Sequence, residues 1–178
     1  MARAAIKKMV AEKKRKEFSE VAVQDVARYQ DRLVELMFHT DDKALRMISI
    51  YGTFLGLLAT SGFALANLKS LHGAGWGFLL GAGVALTAGC VFAYRAMWTT
   101  GIYLPGRKPD FWLWCLGPEI LEHEALAAYL KQAAICIEHN QRISDAAAED
   151  VRRCFLCGIS SPIVGLIASA AAWRWLLF

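Results

Sequence analysis

The sequence predicts an all-α integral membrane protein: a transmembrane helical hairpin, amphipathic cytoplasmic helices and a third transmembrane helix. Three observations carry that prediction. Segments 47–68, 75–94 and 154–173 contain no Asp, Glu, Lys or Arg, and each is about the 20 residues needed to cross a hydrocarbon core about 30 Å thick. Apolar residues make up 56% of the chain, against about 45–50% in soluble domains. Small residues also recur every fourth position, as Gly73, Gly77, Gly81, Ala85, Gly89 and Ala93. That spacing stacks them on one helix face and lets another backbone approach closely. Shorter ridges repeat it at Gly52, Gly56, Thr60 and Ala64, and at Ser161, Gly165 and Ser169. Three buried helices of a soluble bundle are the alternative, but soluble helices seldom stay apolar on every face for such a length.

Four segments follow in order: 1–43, 44–98, 99–153 and 154–178. Residues 1–16 form a basic arm with seven Lys or Arg against the single acid Glu12. It reads equally as a lipid-surface segment or as a topogenic tail, since each cation near an anionic surface is worth about 1 kcal/mol. From Phe18 the positions Phe18, Ala22, Val26, Tyr29, Leu33 and Leu36 follow spacings of four and three. That is the narrow seam of a helix that meets another helix, either in a neighbouring protomer or in this chain's own cytoplasmic helix.

Segment 44–98 is the hairpin, closed by the short 69–74 turn. Segment 99–153 opens with Thr99, Thr100, Gly101, Pro105 and Gly106, a turn-rich passage. Two prolines then bracket the aromatic block 109–117, which is too short to span. Its Trp residues favour the headgroup level, with Arg107 and Lys108 beside phosphates; a pocket wall is the alternative. A helix follows over 119–140, with Leu126, Leu130, Ala134 and Ile137 on one face and Glu119, Glu122 and Glu124 at its positive N-terminal end. A second helical stretch, 144–153, leads into the third span. There Pro162 removes a backbone donor that the hydroxyls of Ser160 and Ser161 can offset.

Charge sets the topology. Lys43, Arg46, Arg95, Arg107, Lys108, Arg152 and Arg153 flank the spans on one side, with Lys69 and Arg174 on the other. The positive-inside rule puts the N-terminus and the 95–153 segment in the cytoplasm and the C-terminus outside. The first apolar run starts too late and runs too long for a cleaved signal peptide.

Catalytic groupings are not evident. His123-Glu124 does not continue to a second His at metalloprotease spacing. Phosphate-binding glycine loops and nucleophile elbows are missing too, so neither an enzyme nor a cofactor is expected. No metal site is expected either: Cys154 and Cys157 form a lone CxxC, and all five cysteines read as reduced apolar residues. No Asp, Glu, Lys or Arg lies inside the spans, which argues against a coupled transporter acting alone. A pore remains open. Three spans per chain enclose little, so it would require a ring of protomers. Gly52, Gly56, Gly73, Gly77, Gly81, Gly89 and Gly165 are the candidate packing residues, serving either within one protomer or between protomers.

The layout is completed by Tyr129-Leu130, Ile135, Ile137, Asn140, Arg153 and the run Ser161-Pro162-Ile163-Val164-Gly165. Taken together, it resembles the small transmembrane effectors of bacterial antiphage systems that respond to nucleotide second messengers, including CBASS, Hailong and SLATT-type proteins. The resemblance implies a homo-oligomer in the bacterial inner membrane. A nucleotide or oligonucleotide messenger, made by a neighbouring nucleotidyltransferase, would open a pore and depolarise the cell. It departs from that pattern in lacking a separate globular sensor. Phosphate recognition calls for cations, Arg above all, so Arg107, Lys108, Lys131, Arg142, Arg152 and Arg153 are the ligand-binding candidates. A plug of cytoplasmic helices would use a bistable apolar contact, with Leu33 and Leu130 as its candidate residues. A membrane-anchored scaffold or accessory subunit without conduction, and a holin-like lysis protein, are the alternatives.

Overall fold

The computed structural model describes the backbone of residues 2–67, 73–98 and 101–176, and the side chains of 19–67, 73–98 and 101–174. Four helices make up the described chain: α1 (Ala2–Asn67), α2 (Gly73–Met97), α3 (Pro109–Cys115) and α4 (Glu122–Leu176). Strands are absent among the described residues. Three of the helices are long and apolar enough to cross a membrane. The side chains of the basic arm and of Phe18, together with Lys69, Thr99 and Thr100, lie outside the described residues.

The two helices predicted between 119 and 153 are one, and it runs on without a break into the third apolar segment. It starts at Glu122 rather than Glu119, because Pro118 follows Gly117 in a turn. The Leu121 N–H then donates to the Glu124 carboxylate at 3.4 Å, while the amide of Glu124 donates to the Leu121 carbonyl. This is one half of a capping box, since Leu in the cap position has no side-chain oxygen to return the bond. Pro162 sits inside α4. Its missing N–H frees the carbonyl four residues back, Gly158. The Ser161 hydroxyl donates to that carbonyl at 2.9 Å, as the sequence led us to expect.

The chain forms two compact units. One combines 1–36 with 101–143, the other 37–100 with 144–178. In the first, α1 buries Gln30 and Leu33 while Tyr29 and Leu36 are about half exposed. The seam therefore keeps Ala22, Val26 and Leu33 as predicted, but Gln30 and, at the start of the other unit, Met37 are buried in place of Tyr29 and Leu36. The facing stripe of α4 is Leu126, Tyr129, Ala133 and Asn140, with Ala134 exposed.

The second unit has a core of Ala44, Tyr51, Leu86, Ala93, Ala96, Ala147 and Cys154. Its α2 stripe is Ala82, Leu86, Gly89, Ala93 and Ala96, a run of alternating fours and threes that keeps one seam inward. Tyr51 is the centre of this core. Its hydroxyl donates to the Cys154 carbonyl at 3.0 Å. The ring occupies space that two glycines leave: a Cβ at Gly89 would stand 2.7 Å from the ring, and one at Gly158 would fall inside the hydroxyl. Further along, α2 and α4 pack backbone to backbone. A Cβ on Gly81 would meet the Val164 carbonyl at 2.9 Å, one on Gly77 the Ala168 carbonyl at 2.5 Å, and one on Gly165 the Phe78 ring at 2.8 Å.

Gly158→Ala should therefore cost about 1–3 kcal/mol through overpacking. Tyr51→Phe, which removes a single hydrogen bond and keeps the ring, should cost about 1 kcal/mol. Unfolding titrations of the detergent-solubilised chain check the order; an alanine at 158 without effect would contradict the seat.

Candidate functional site

Two places hold the predicted site residues, one in each unit. In the unit of 1–36 and 101–143, a bend led by Gly101 and Gly106, both at positive φ, returns the chain toward α4. Glycine is favoured there because L side chains seldom adopt that conformation. Asn140 holds the bend. Almost wholly buried, it accepts the Tyr103 N–H at 2.9 Å and donates to the Tyr103 carbonyl at 2.8 Å. The neighbouring His139 Nε2 lies 3.1 Å from the Gly101 carbonyl, and its ring meets Tyr103 edge-on. Sequence reasoning named Asn140 for resemblance but not for this clamp. A polar residue in step with a buried stripe was the available signal.

Arg107 comes next. Its guanidinium donates to the Tyr129 carbonyl at 2.7 Å and rests 5.2 Å and 5.1 Å from the ring centres of Phe111 and Tyr129. It is a structural staple between α3 and α4, each aromatic contact being worth about 0.5–1 kcal/mol. Lys108 precedes α3 at its N-cap position and is exposed, as is Lys131. Neither joins an ion pair among the described residues. Arg142 is paired with Glu138 on the same helix. Phe111, Trp112 and Cys115 of α3 line a cavity of about 570 Å³ that also reaches Tyr129 and the first part of α1. The aromatic block is thus a pocket wall, while Leu113 and Leu116 are exposed. Leu33 is buried and Leu130 half-buried in this unit.

In the other unit, Asp150 is the anchor. Its carboxylate, 12% exposed, meets Arg95 of α2 at 3.4 Å and Arg153 at 3.5 Å. Arg153 also pairs with Glu149 at 3.3 Å, and Arg152 with the same carboxylate at 3.5 Å. Two of the phosphate candidates are therefore committed to carboxylates of their own helix. The glycines divide sharply. Gly77, Gly81, Gly89 and Gly165 pack inside the unit, and Gly73 begins α2. Gly52 and Gly56 meet nothing within 4 Å.

Gly56 belongs to a distinct face of α1, and Gly52 lies to one side of it. The inward stripe of this segment is Ala44, Tyr51, Leu55, Leu58 and Gly62. Directly opposite stand Ser49, Thr53, Gly56, Thr60 and Ala64, all exposed. The hydroxyls bond to their own helix, Ser49 to the Leu45 carbonyl at 3.1 Å, Thr53 to that of Ser49 at 2.9 Å and Thr60 to that of Gly56 at 3.0 Å. The outer faces of the other two helices differ: Leu80, Val84 and Val91 on α2, and Phe155, Ile159, Ile163 and Leu166 on α4. Among the described residues no group of His, Cys, Asp and Glu is arranged to hold a metal.

The class of protein this defines is an all-helical chain with three helices of membrane-crossing length, divided into two compact units. No protein-family model, no curated protein and no solved structure matches it.

Removing the Asn140 clamp should release the 101–106 bend. Asn140→Ala should cost about 1–2 kcal/mol and speed hydrogen exchange at the Tyr103 amide about tenfold. Unchanged exchange would show that His139 and the glycine turns hold the bend alone.

Proposed function

We propose that this chain crosses the bacterial inner membrane three times and assembles with copies of itself into a pore, which a cytoplasmic signal opens to depolarise the cell in antiphage defence. The observation that supports this reading best is the outward stripe of α1. Helices surrounded by lipid alone turn large apolar side chains outward, as α2 and α4 do. Ser49, Thr53, Gly56 and Thr60 present small and hydroxyl-bearing surface instead, which suits close contact with a second helix or a line of water. Their donors are already satisfied within the helix, so the hydroxyl oxygens keep acceptor capacity for a cation or water. The Asp42–Arg46 ion pair at 2.8 Å would lie where this stripe reaches the cytoplasm.

The distribution of Lys and Arg supports a cytoplasmic N-terminus and an external C-terminus. The nucleotide-messenger reading rests on the resemblance of the layout to the antiphage effectors. Of the six candidate cations, Lys108 and Lys131 are the ones free to meet a phosphate, because Arg107, Arg142, Arg152 and Arg153 are engaged within the chain.

Gly56→Leu should abolish inter-protomer cross-linking and lower the conductance of reconstituted protein at least tenfold. Gly83→Leu, at another position with open space around it, should leave both unchanged. In cells, depolarisation should require the neighbouring nucleotidyltransferase and be lost in the double variant Lys108→Ala/Lys131→Ala. A protein that forms oligomers but never conducts would be a scaffold, and one that kills without any second gene would be holin-like.

A further inference from the structure

We propose that the cavity formed by α3, the start of α4 and the first part of α1 is a binding site for an organic ammonium cation. The inference concerns the unit of 1–36 and 101–143 by itself and does not depend on conduction. The cavity measures about 570 Å³, within the range of small-molecule sites. Its walls are aromatic: Phe111, Trp112 and Tyr129 contribute rings, and aliphatic side chains fill between them. Two carboxylates, Glu20 and Glu122, complete the lining together with the amide of Gln24. Both carboxylates are exposed, and neither is in an ion pair among the described residues. The lining contains no Lys or Arg.

Three arguments converge on a cation with an apolar body. Trp offers the strongest cation–π face, with Tyr and Phe next. The two carboxylates supply the counter-charge, and Glu122 stands in the first turn of α4, at the positive end of the helix dipole. The aliphatic and ring surface between them excludes a bare metal ion, which would require oxygen ligands on all sides. The rings already show this preference. Arg107 holds its guanidinium over Phe111 and Tyr129, yet a backbone carbonyl fixes it there and it does not line the cavity. A phosphate would meet two carboxylates and no cation, so the messenger of the pore reading would bind elsewhere. The ammonium has two sources of the same chemistry: a free amine of the cytoplasm, or the headgroup of a lipid such as phosphatidylethanolamine.

Calorimetric titration of the full-length protein in detergent with benzyltrimethylammonium tests the site, with benzenesulfonate as the anionic counterpart. We expect saturable binding of the cation and none of the anion. Glu122→Gln and Glu20→Gln should each weaken binding at least fivefold and Trp112→Leu at least tenfold. Glu138→Gln, outside the cavity, should change nothing. Circular dichroism melts establish that each variant is folded; the near-isosteric Gln variants keep the test decisive if Trp112→Leu is not. Repeating the titration in nanodiscs of phosphatidylglycerol with and without phosphatidylethanolamine assigns the source: competition marks the headgroup, and its absence marks a free amine. Absence of saturable binding by the native chain, equal binding by every variant, or preference for benzenesulfonate overturns the proposal.

Discussion

The seating of Tyr51 is the constraint on which the apolar unit depends. A tyrosine ring placed between helices normally holds them apart. Here glycines on two other helices, Gly89 and Gly158, remove the side chains that would collide with it. The hydroxyl then finds its acceptor in the backbone of α4 at Cys154, so the ring is buried without an unsatisfied polar atom. One residue thereby fixes both the rotation of α1 and its height against α2 and α4. The Asp150 carboxylate, shared by Arg95 and Arg153, ties α2 to α4 a short way along. For helices in lipid, where hydrophobicity gives no preference for contact over exposure, association would have to rely on packing and buried hydrogen bonds of this kind.

The same seat explains how one ridge of small residues serves two partners. A step of four residues turns about 40° beyond a full revolution, so a ridge spaced by four drifts slowly around its helix. Gly77 and Gly81 face the backbone of α4, while Gly89 faces the ring on α1. Read in the sequence, the ridge marks a surface for close approach but does not say which helix approaches. On α1, Gly52 and Gly56 carry the same spacing and meet nothing within 4 Å, whereas Gly62 faces Leu79 of α2.

Other parts of the fold were legible to different degrees. The three apolar segments, the aromatic block at 109–117 and the role of Ser161 beneath Pro162 follow from composition, length and elementary hydrogen-bond accounting. The seam of α1 did not. Tyr29 and Leu36 are the more hydrophobic choices, but Gln30 and Met37 are buried. Both series alternate threes and fours from Leu33, so spacing alone does not separate them, and hydrophobicity favoured the wrong one. The 144–153 stretch likewise looked like a second helix, since Ser144 is a plausible helix cap. Ala147 and Asp150 continue the buried face nonetheless, Asp150 through its arginines. The clamp of Asn140 on Tyr103 depends on residues 37 apart in sequence, a pairing no local pattern contains. For the phosphate candidates, charge alone marked the cations, but pairing decides which are free. Arg107, Arg142, Arg152 and Arg153 are spent on carbonyls, rings and carboxylates of the chain itself.

What gives the account its functional direction is the contrast between three outer faces. Two are built from large apolar side chains, and the third, on α1, carries a small, hydroxyl-bearing stripe opposite Tyr51, flanked by exposed Leu57 and Phe63. If the third face meets copies of the chain, the ring that locks α1 in rotation also aims that stripe, and the internal core and the assembly share one determinant. Intermolecular distances between spin labels in the reconstituted protein test this most directly, with the label placed at Thr53 in one preparation and at Ile163 in another. The account predicts strong dipolar coupling between copies at residue 53, at a shorter distance than at residue 163. Coupling at residue 163 with none at residue 53 would contradict it.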